Sequence, residues 1–324
     1  MTLESGATGI SPDLSTTASG GSSANAQRSP VHNAFMGPNG IRAGWRLLIF
    51  VVLFLAFANA IGFGLTRIPA VKAWRHAQDP KVMTAPGQIF GECIAIGGLL
   101  LAVLLMSLIE KRTFSDYYLP LNQAFGKRFW QGVPYGFAML SLLLALIAAF
   151  RGFSLGTLAL SGADAFKYGL LFGITFFMVG FFEEFSFRGY MQSTLSSGIG
   201  FWPAAIVLSI LFGAVHLQNL GEAWFGALMA GSFGILAAFA LSRTGNIWFP
   251  IGMHAAWDWG ETFFYSTPDS GFLAQGHLLN SSFHGPTWLT GGSVGPEGSV
   301  FAFVVLAIGG VGIHFLFPAK RLVS

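Results

Sequence analysis

The sequence predicts an all-α fold, a polytopic bundle of about eight membrane-spanning helices, and three observations carry that expectation. Lys and Arg number 17 and Asp and Glu 14, together 10% of the 324 residues, against roughly 25% in an average soluble protein. Hydrophobic types make up 53%, including 34 Phe, and the mean hydropathy is +0.62. The apolar residues also gather into long runs, each able to cross roughly 30 Å of hydrocarbon. Such runs must be helical, because lipid cannot satisfy a lone strand and the period-2 alternation of a barrel is absent.

Residues 1–40 are rich in Ser, Thr, Gly, Ala and Asn and bury too little to offset ordering entropy, so a disordered N-terminal tail is expected there. The transmembrane domain then covers 41–324. Its first run, 45–66, begins too far from Met1 for a cleaved signal and is expected to remain as an anchor. Further runs follow at 88–109, 130–150, 167–196, 201–218, 221–242, 246–265 and 299–317. The sixth carries Gly226, Ala230 and Gly234, small residues that permit close helix approach. Between the last two runs, 266–298 is rich in Gly, Ser and Pro, with His277 and His284, and reads as a long external loop rather than a domain.

Charge sets the orientation. With eight spans and an inside N-terminus, the cytoplasmic segments hold ten Lys and Arg and the outer loops six, leaving aside Arg188 within a span. Positive charge concentrates on the cytoplasmic side, so both termini are expected in the cytoplasm of a cell with the chain in its inner membrane. The net charge of +3 is scattered beside apolar runs rather than clustered, which argues against a nucleic-acid partner. The lipid bilayer is the expected surroundings. The single Cys93 rules out an internal disulfide and any multi-Cys metal site, and reads as a small packing residue.

Ionisable residues at membrane depth cost at least about 2.5 kcal/mol each on insertion scales, so each calls for a partner, a cavity or a function. Three neighbouring runs concentrate them. The fourth contains Glu183, Glu184 and Arg188; Glu184 and Arg188, four apart, face each other on a helix. Glu183 is turned about 100° from Glu184 and is free to serve another end. The fifth run ends in Phe212-x-x-x-His216, and the seventh contains His254-x-x-x-Asp258.

If helices turn near 197–200 and again near 244–246, Glu183 and His216 lie roughly 22 to 26 Å from that end and His254 and Asp258 roughly 13 to 20 Å. One intramembrane cluster is therefore feasible. Glu92, Glu222 and Glu261 read as interfacial or pore-lining, and His314 as a packed or interhelical hydrogen-bonding residue.

At these residues the sequence resembles the CPBP family of intramembrane proteases, which includes the type II CAAX prenyl endopeptidases and bacterial Abi-type proteins. The family patterns Glu-Glu-x-x-x-Arg, Phe-x-x-x-His and His-x-x-x-Asn or Asp occur here in order, within a catalytic core of about 165–265. The resemblance implies an endopeptidase acting on membrane-associated peptides or proteins. In it Glu183 is the base that activates water, His216 positions that water, Glu184 and Arg188 hold the helix, and His254 and Asp258 form the oxyanion site.

Chemistry allows the assignment, since a carboxylate in an apolar cavity can take a proton from water and deliver it to a leaving amine. Asp258 departs from the Asn of the prenyl endopeptidases. An ionised Asp cannot donate to an oxyanion, so Asp258 must be protonated, orient His254 or bind a cation.

The family is often labelled metalloprotease, and Glu183, His216, His254 and Asp258 would supply enough donors for zinc. The glutamate route needs no ion and is the favoured reading. Two other functions stay open: a proton- or cation-coupled transporter, disfavoured by the absence of an internal repeat, and a catalytically silent scaffold or immunity protein.

Overall fold

A computed structural model describes residues 29–37, 40–79, 82–218, 224–269, 271 and 273–318. The first 28 residues of the expected tail, and Glu222, lie outside the described residues. The end of that tail is built into the fold: α1 (Pro30–Phe35) is followed by β1 (Met36–Gly37) and β2 (Gly40–Ile41). Phe35 stacks on Trp45 at 4.5 Å between centroids, and the Trp45 indole donates to the Ala34 carbonyl. One aromatic pair holds a segment whose average composition is that of a loop.

Among the described residues each of the eight apolar runs forms a helix. In order they form α2 (Ala43–Thr66), α4 (Ala85–Glu110), α5 (Lys127–Ala149), α6 (Gly162–Glu184), α8 (Phe201–His216), α9 (Trp224–Thr244), α10 (Trp248–Trp259) and α12 (Val300–Leu316). Short helices α3 (Pro69–His76), α7 (Gln192–Ile199) and α11 (Thr287–Thr290) lie between them. A π-helical stretch, Phe185–Met191, joins α6 to α7. Among the described residues five helices are long and apolar enough to cross a membrane: α2, α4, α5, the continuous α6–α7 rod and α9. Leu108, Ile210 and Phe315 are among the large apolar side chains left exposed on the outside, as expected of surfaces solvated by lipid.

Helix α10 is the axis of the bundle. It has 12 residues, and every one from Trp248 to Asp258 is buried, so it has no lipid-facing stripe to present. Phe249, Met253 and Trp257, spaced by four, enter one hydrophobic cluster with Leu140, Leu143 and Val305. Trp248 and Ile251 enter a second, with Leu99, Tyr117 and Phe185. Helix α5 packs on α10 with backbones touching: a Cβ on Gly136 would stand 1.9 Å from the Met253 carbonyl oxygen. Small residues make this approach available.

At one end of the bundle Glu110 ties three elements together. It pairs with Arg46 at 2.9 Å, lies 3.7 Å from Arg112 and accepts a 2.6 Å bond from the Tyr190 hydroxyl. Arg46 also donates to Ser197. Arg243 bonds His314 across α9 and α12, an interhelical contact. Cys93 is exposed on α4 rather than packed inside.

The segment after α10 is folded onto the bundle. Strand β5 (Leu273–Ala274) runs parallel to β3 (Val82–Met83), with Val82 opposite Leu273. Strand β6 (Ser282–Phe283) pairs antiparallel with β4 (Phe153–Ser154). Two loop-to-loop ribbons thus hold 266–298 across the end of the helices.

Candidate active site

Helix geometry delivers the polar residues to one place. Glu183 and Glu184 close α6, His216 closes α8, and His254 and Asp258 lie one turn apart on α10. A cavity of about 230 Å³ is lined by Glu183, His216, His254 and Asp258 together with apolar side chains including Phe233 and Val179. That volume exceeds the roughly 30 Å³ share of one water several times over. The four residues placed at overlapping depth by helix arithmetic therefore share one cavity.

The two adjacent glutamates have separate surroundings. The Glu183 side chain is 22% exposed and Glu184 is 0%. Glu183 faces the cavity, 3.7 Å from His254 Nε2, and its Oε2 accepts no hydrogen bond among the described residues. Glu184 lies behind it, outside the cavity lining, where Oε1 is 2.9 Å from His254 Nδ1 and 3.3 Å from Arg188 Nη1. The Arg188 guanidinium in turn covers the Phe212 ring at 4.1 Å. Gly180, one turn before Glu184, makes this reach available: a Cβ there would stand 3.2 Å from the Ala255 nitrogen, so α6 lies close against α10.

Both histidines are oriented. His216 Nδ1 is 2.8 Å from the Phe212 carbonyl oxygen. A carbonyl only accepts, so Nδ1 carries the hydrogen and, in the neutral ring, Nε2 keeps its lone pair. Phe212 also packs at a tilt against the His216 ring, 4.5 Å between centroids, and Phe233 packs on His254 at 4.9 Å. His254 Nε2 points between Glu183 and Asp258, whose Oδ2 is 3.6 Å away.

Three further carboxylates line the same cavity: Glu92 on α4, and Asp269 and Glu297 from the segment after α10. Glu92 takes the pore-lining role among those its type suggested. Asp269 and Glu297 carried no local signal, because they sit in Gly- and Pro-rich chain that only the ribbons fold back. Burial pushes the Asp269 carboxyl up to about 6, against the lowering effect of its bond from Thr262. Glu261 is fully buried, neither interfacial nor among the cavity-lining residues.

The zinc alternative can be tested on the donors. Among the described residues, the group of three or more His, Cys or carboxylate donors whose atoms all lie within 4.8 Å of one another is Glu261, Asp269 and Glu297. Glu183, His216, His254 and Asp258 are not gathered in this way. Zinc draws its donors to about 2 Å, so this arrangement does not fit one.

The comparison with known families falls on this part of the chain. Residues 165–260 match the type II CAAX prenyl endopeptidase Rce1-like family. The Rce1-like segment contains Glu183, Glu184, Arg188, His216, His254 and Asp258, all three motifs, and ends before Glu261. No curated protein and no solved structure matches the chain. Over this segment the chain is similar to an intramembrane protease family, and its five long apolar helices make it an integral, multi-pass membrane protein surrounded by lipid.

Proposed function

We propose that the protein is an intramembrane endopeptidase that hydrolyses peptide bonds of membrane-associated substrates with a water activated by Glu183, without a metal. The convergence of Glu183, His216 and His254 on one cavity carries this reading. Glu183 Oε2, facing the cavity without a hydrogen-bond partner among the described residues, takes a proton from water as the oxygen attacks the scissile carbonyl carbon. The Nε2 lone pair of His216 accepts from the same water and fixes its direction. The C–N bond then breaks as Glu183 returns the proton to the amine nitrogen, leaving a carboxylic acid and an amine.

The tetrahedral oxyanion needs a donor within hydrogen-bond reach. His254 Nε2 supplies one when the ring is an imidazolium, with Nδ1 donating to Glu184. Glu184 and Arg188 are positioning residues: the guanidinium holds the carboxylate, and the carboxylate holds the ring. Of the roles open to Asp258, orienting His254 accords with the 3.6 Å separation from Nε2. The substrate is a membrane-anchored or amphipathic peptide whose apolar part rests against Phe176, Val179 and Phe233. The cell's inner membrane, with both termini cytoplasmic, is the proposed location.

The test compares peptides in membrane fractions of cells carrying wild-type or Glu183→Gln protein. Uncleaved membrane peptides should accumulate with the variant at unchanged expression. An identical peptide set with a folded variant would sink the catalytic role.

A further inference from the structure

We propose that Glu261, Asp269 and Glu297 form a site for a hard divalent cation of the calcium class, which clasps the segment 266–298 to the end of α10. The donor atoms of the three carboxylates lie within 4.8 Å of one another. A point inside such a triangle lies no more than about 2.8 Å from each corner, so a small contraction reaches the 2.3–2.6 Å that calcium takes, whereas magnesium at about 2.1 Å requires a larger one. All the donors are oxygen, which selects hard cations over zinc or copper.

A second observation points to a missing ligand. Glu261 is fully buried, its oxygen belongs to the converging set, and both carboxylate oxygens are without a hydrogen-bond partner among the described residues. A buried carboxylate without partners is strongly unfavourable unless something supplies positive charge or hydrogen bonds. Among the described residues no ion pair reaches Glu261 or Asp269.

Gly295 packs against this cluster: a Cβ there would stand 2.0 Å from the Pro268 carbonyl oxygen and 3.1 Å from Glu261 Oε1, so the turn before Glu297 lies close against Glu261. Thr262 donates to Asp269 Oδ2 at 2.7 Å and the Trp257 indole to Glu297 Oε1 at 3.0 Å, which aims two of the three carboxylates.

The placement gives the ion a task. Glu261 follows α10 directly, while Asp269 and Glu297 stand near the two ends of the folded-back segment and also line the cavity. One ion therefore joins both ends of that segment to the helix that carries His254 and Asp258. This inference does not depend on the peptidase reading, because its readout is metal binding rather than turnover.

Full-length protein in detergent micelles is stripped with a chelator and dialysed against radioactive calcium. One saturable calcium per chain is expected at or below about 1 mM, with at least a tenfold weaker affinity in Glu261→Gln and slower proteolysis of 266–298 in the calcium-loaded wild type. If Glu261→Gln does not fold, Asp269→Asn and Glu297→Gln carry the same expectation. Absence of saturable uptake by the folded wild type, or equal uptake by the wild type and these variants, would overturn the site and leave protonated carboxyls sharing hydrogen bonds as its explanation.

Discussion

His254 Nδ1 stands 2.9 Å from Glu184 Oε1, the same oxygen that lies 3.3 Å from Arg188 Nη1. One buried carboxylate oxygen thus links the positively charged anchor of the α6–α7 rod to the imidazole that faces the cavity. Removing the charge from Glu184 strands Arg188, itself 3% exposed. Breaking a buried pair from one side costs about 3 kcal/mol or more. Glu184→Gln is accordingly expected to lower the thermal midpoint in micelles, whereas Glu183→Gln, at the cavity face, should leave it nearly unchanged while abolishing cleavage.

His216 holds its Nδ1 hydrogen on the Phe212 carbonyl, which in the proposed mechanism leaves Nε2 for the attacking water. His216→Ala is expected to cut kcat by about a hundredfold or more, the scale of lost proton-transfer and water-positioning assistance, with KM within about twofold. A rise in KM at constant kcat, measured on a cleaved membrane peptide, would assign the ring to substrate binding instead.

Asp258 occupies the position where the prenyl endopeptidases present Asn. If its task is to orient His254, an amide of the same shape should serve, and Asp258→Asn is expected to retain cleavage within about tenfold. Asp258→Leu removes the polar contact and should lose at least about a hundredfold. Equal, severe losses in both variants would show that the negative charge itself is needed.

Gly136 faces backbone, not a side chain able to swing aside. Gly136→Ala should therefore force α5 away from α10 and cost about 1–3 kcal/mol, the usual range for overpacking. Gly44 in α2 is the control, since a Cβ there meets nothing within 4 Å. Gly44→Ala is expected to be neutral or slightly stabilising. Thermal unfolding of the two variants side by side checks the contrast.

Glu110 carries Arg46, Arg112 and the Tyr190 hydroxyl. Glu110→Ala leaves a half-buried cation and a buried hydroxyl without their acceptor, and a loss of about 1–3 kcal/mol is expected. Glu110→Gln should recover part of it, because the amide oxygen still accepts from Tyr190.

The sequence alone determined the all-α class and placed every apolar helix within a few residues, because a charge-poor run of that length has no other way to satisfy its backbone in lipid. It also singled out Glu183, Glu184, Arg188, His216, His254 and Asp258, since a spacing of four within one helix is a local fact of 3.6 residues per turn. What it read as a plain external loop, the tertiary structure turned into a wall of the cavity. Asp269 and Glu297 reach Glu261 only because β5 finds β3 and β6 finds β4, pairings between distant segments that no local pattern announces. The adjacent glutamates were divided at both levels: a spacing of four already paired Glu184 with Arg188, but only the packing of α6 against α10 at Gly180 brought His254 to Glu184 and left Glu183 facing the cavity.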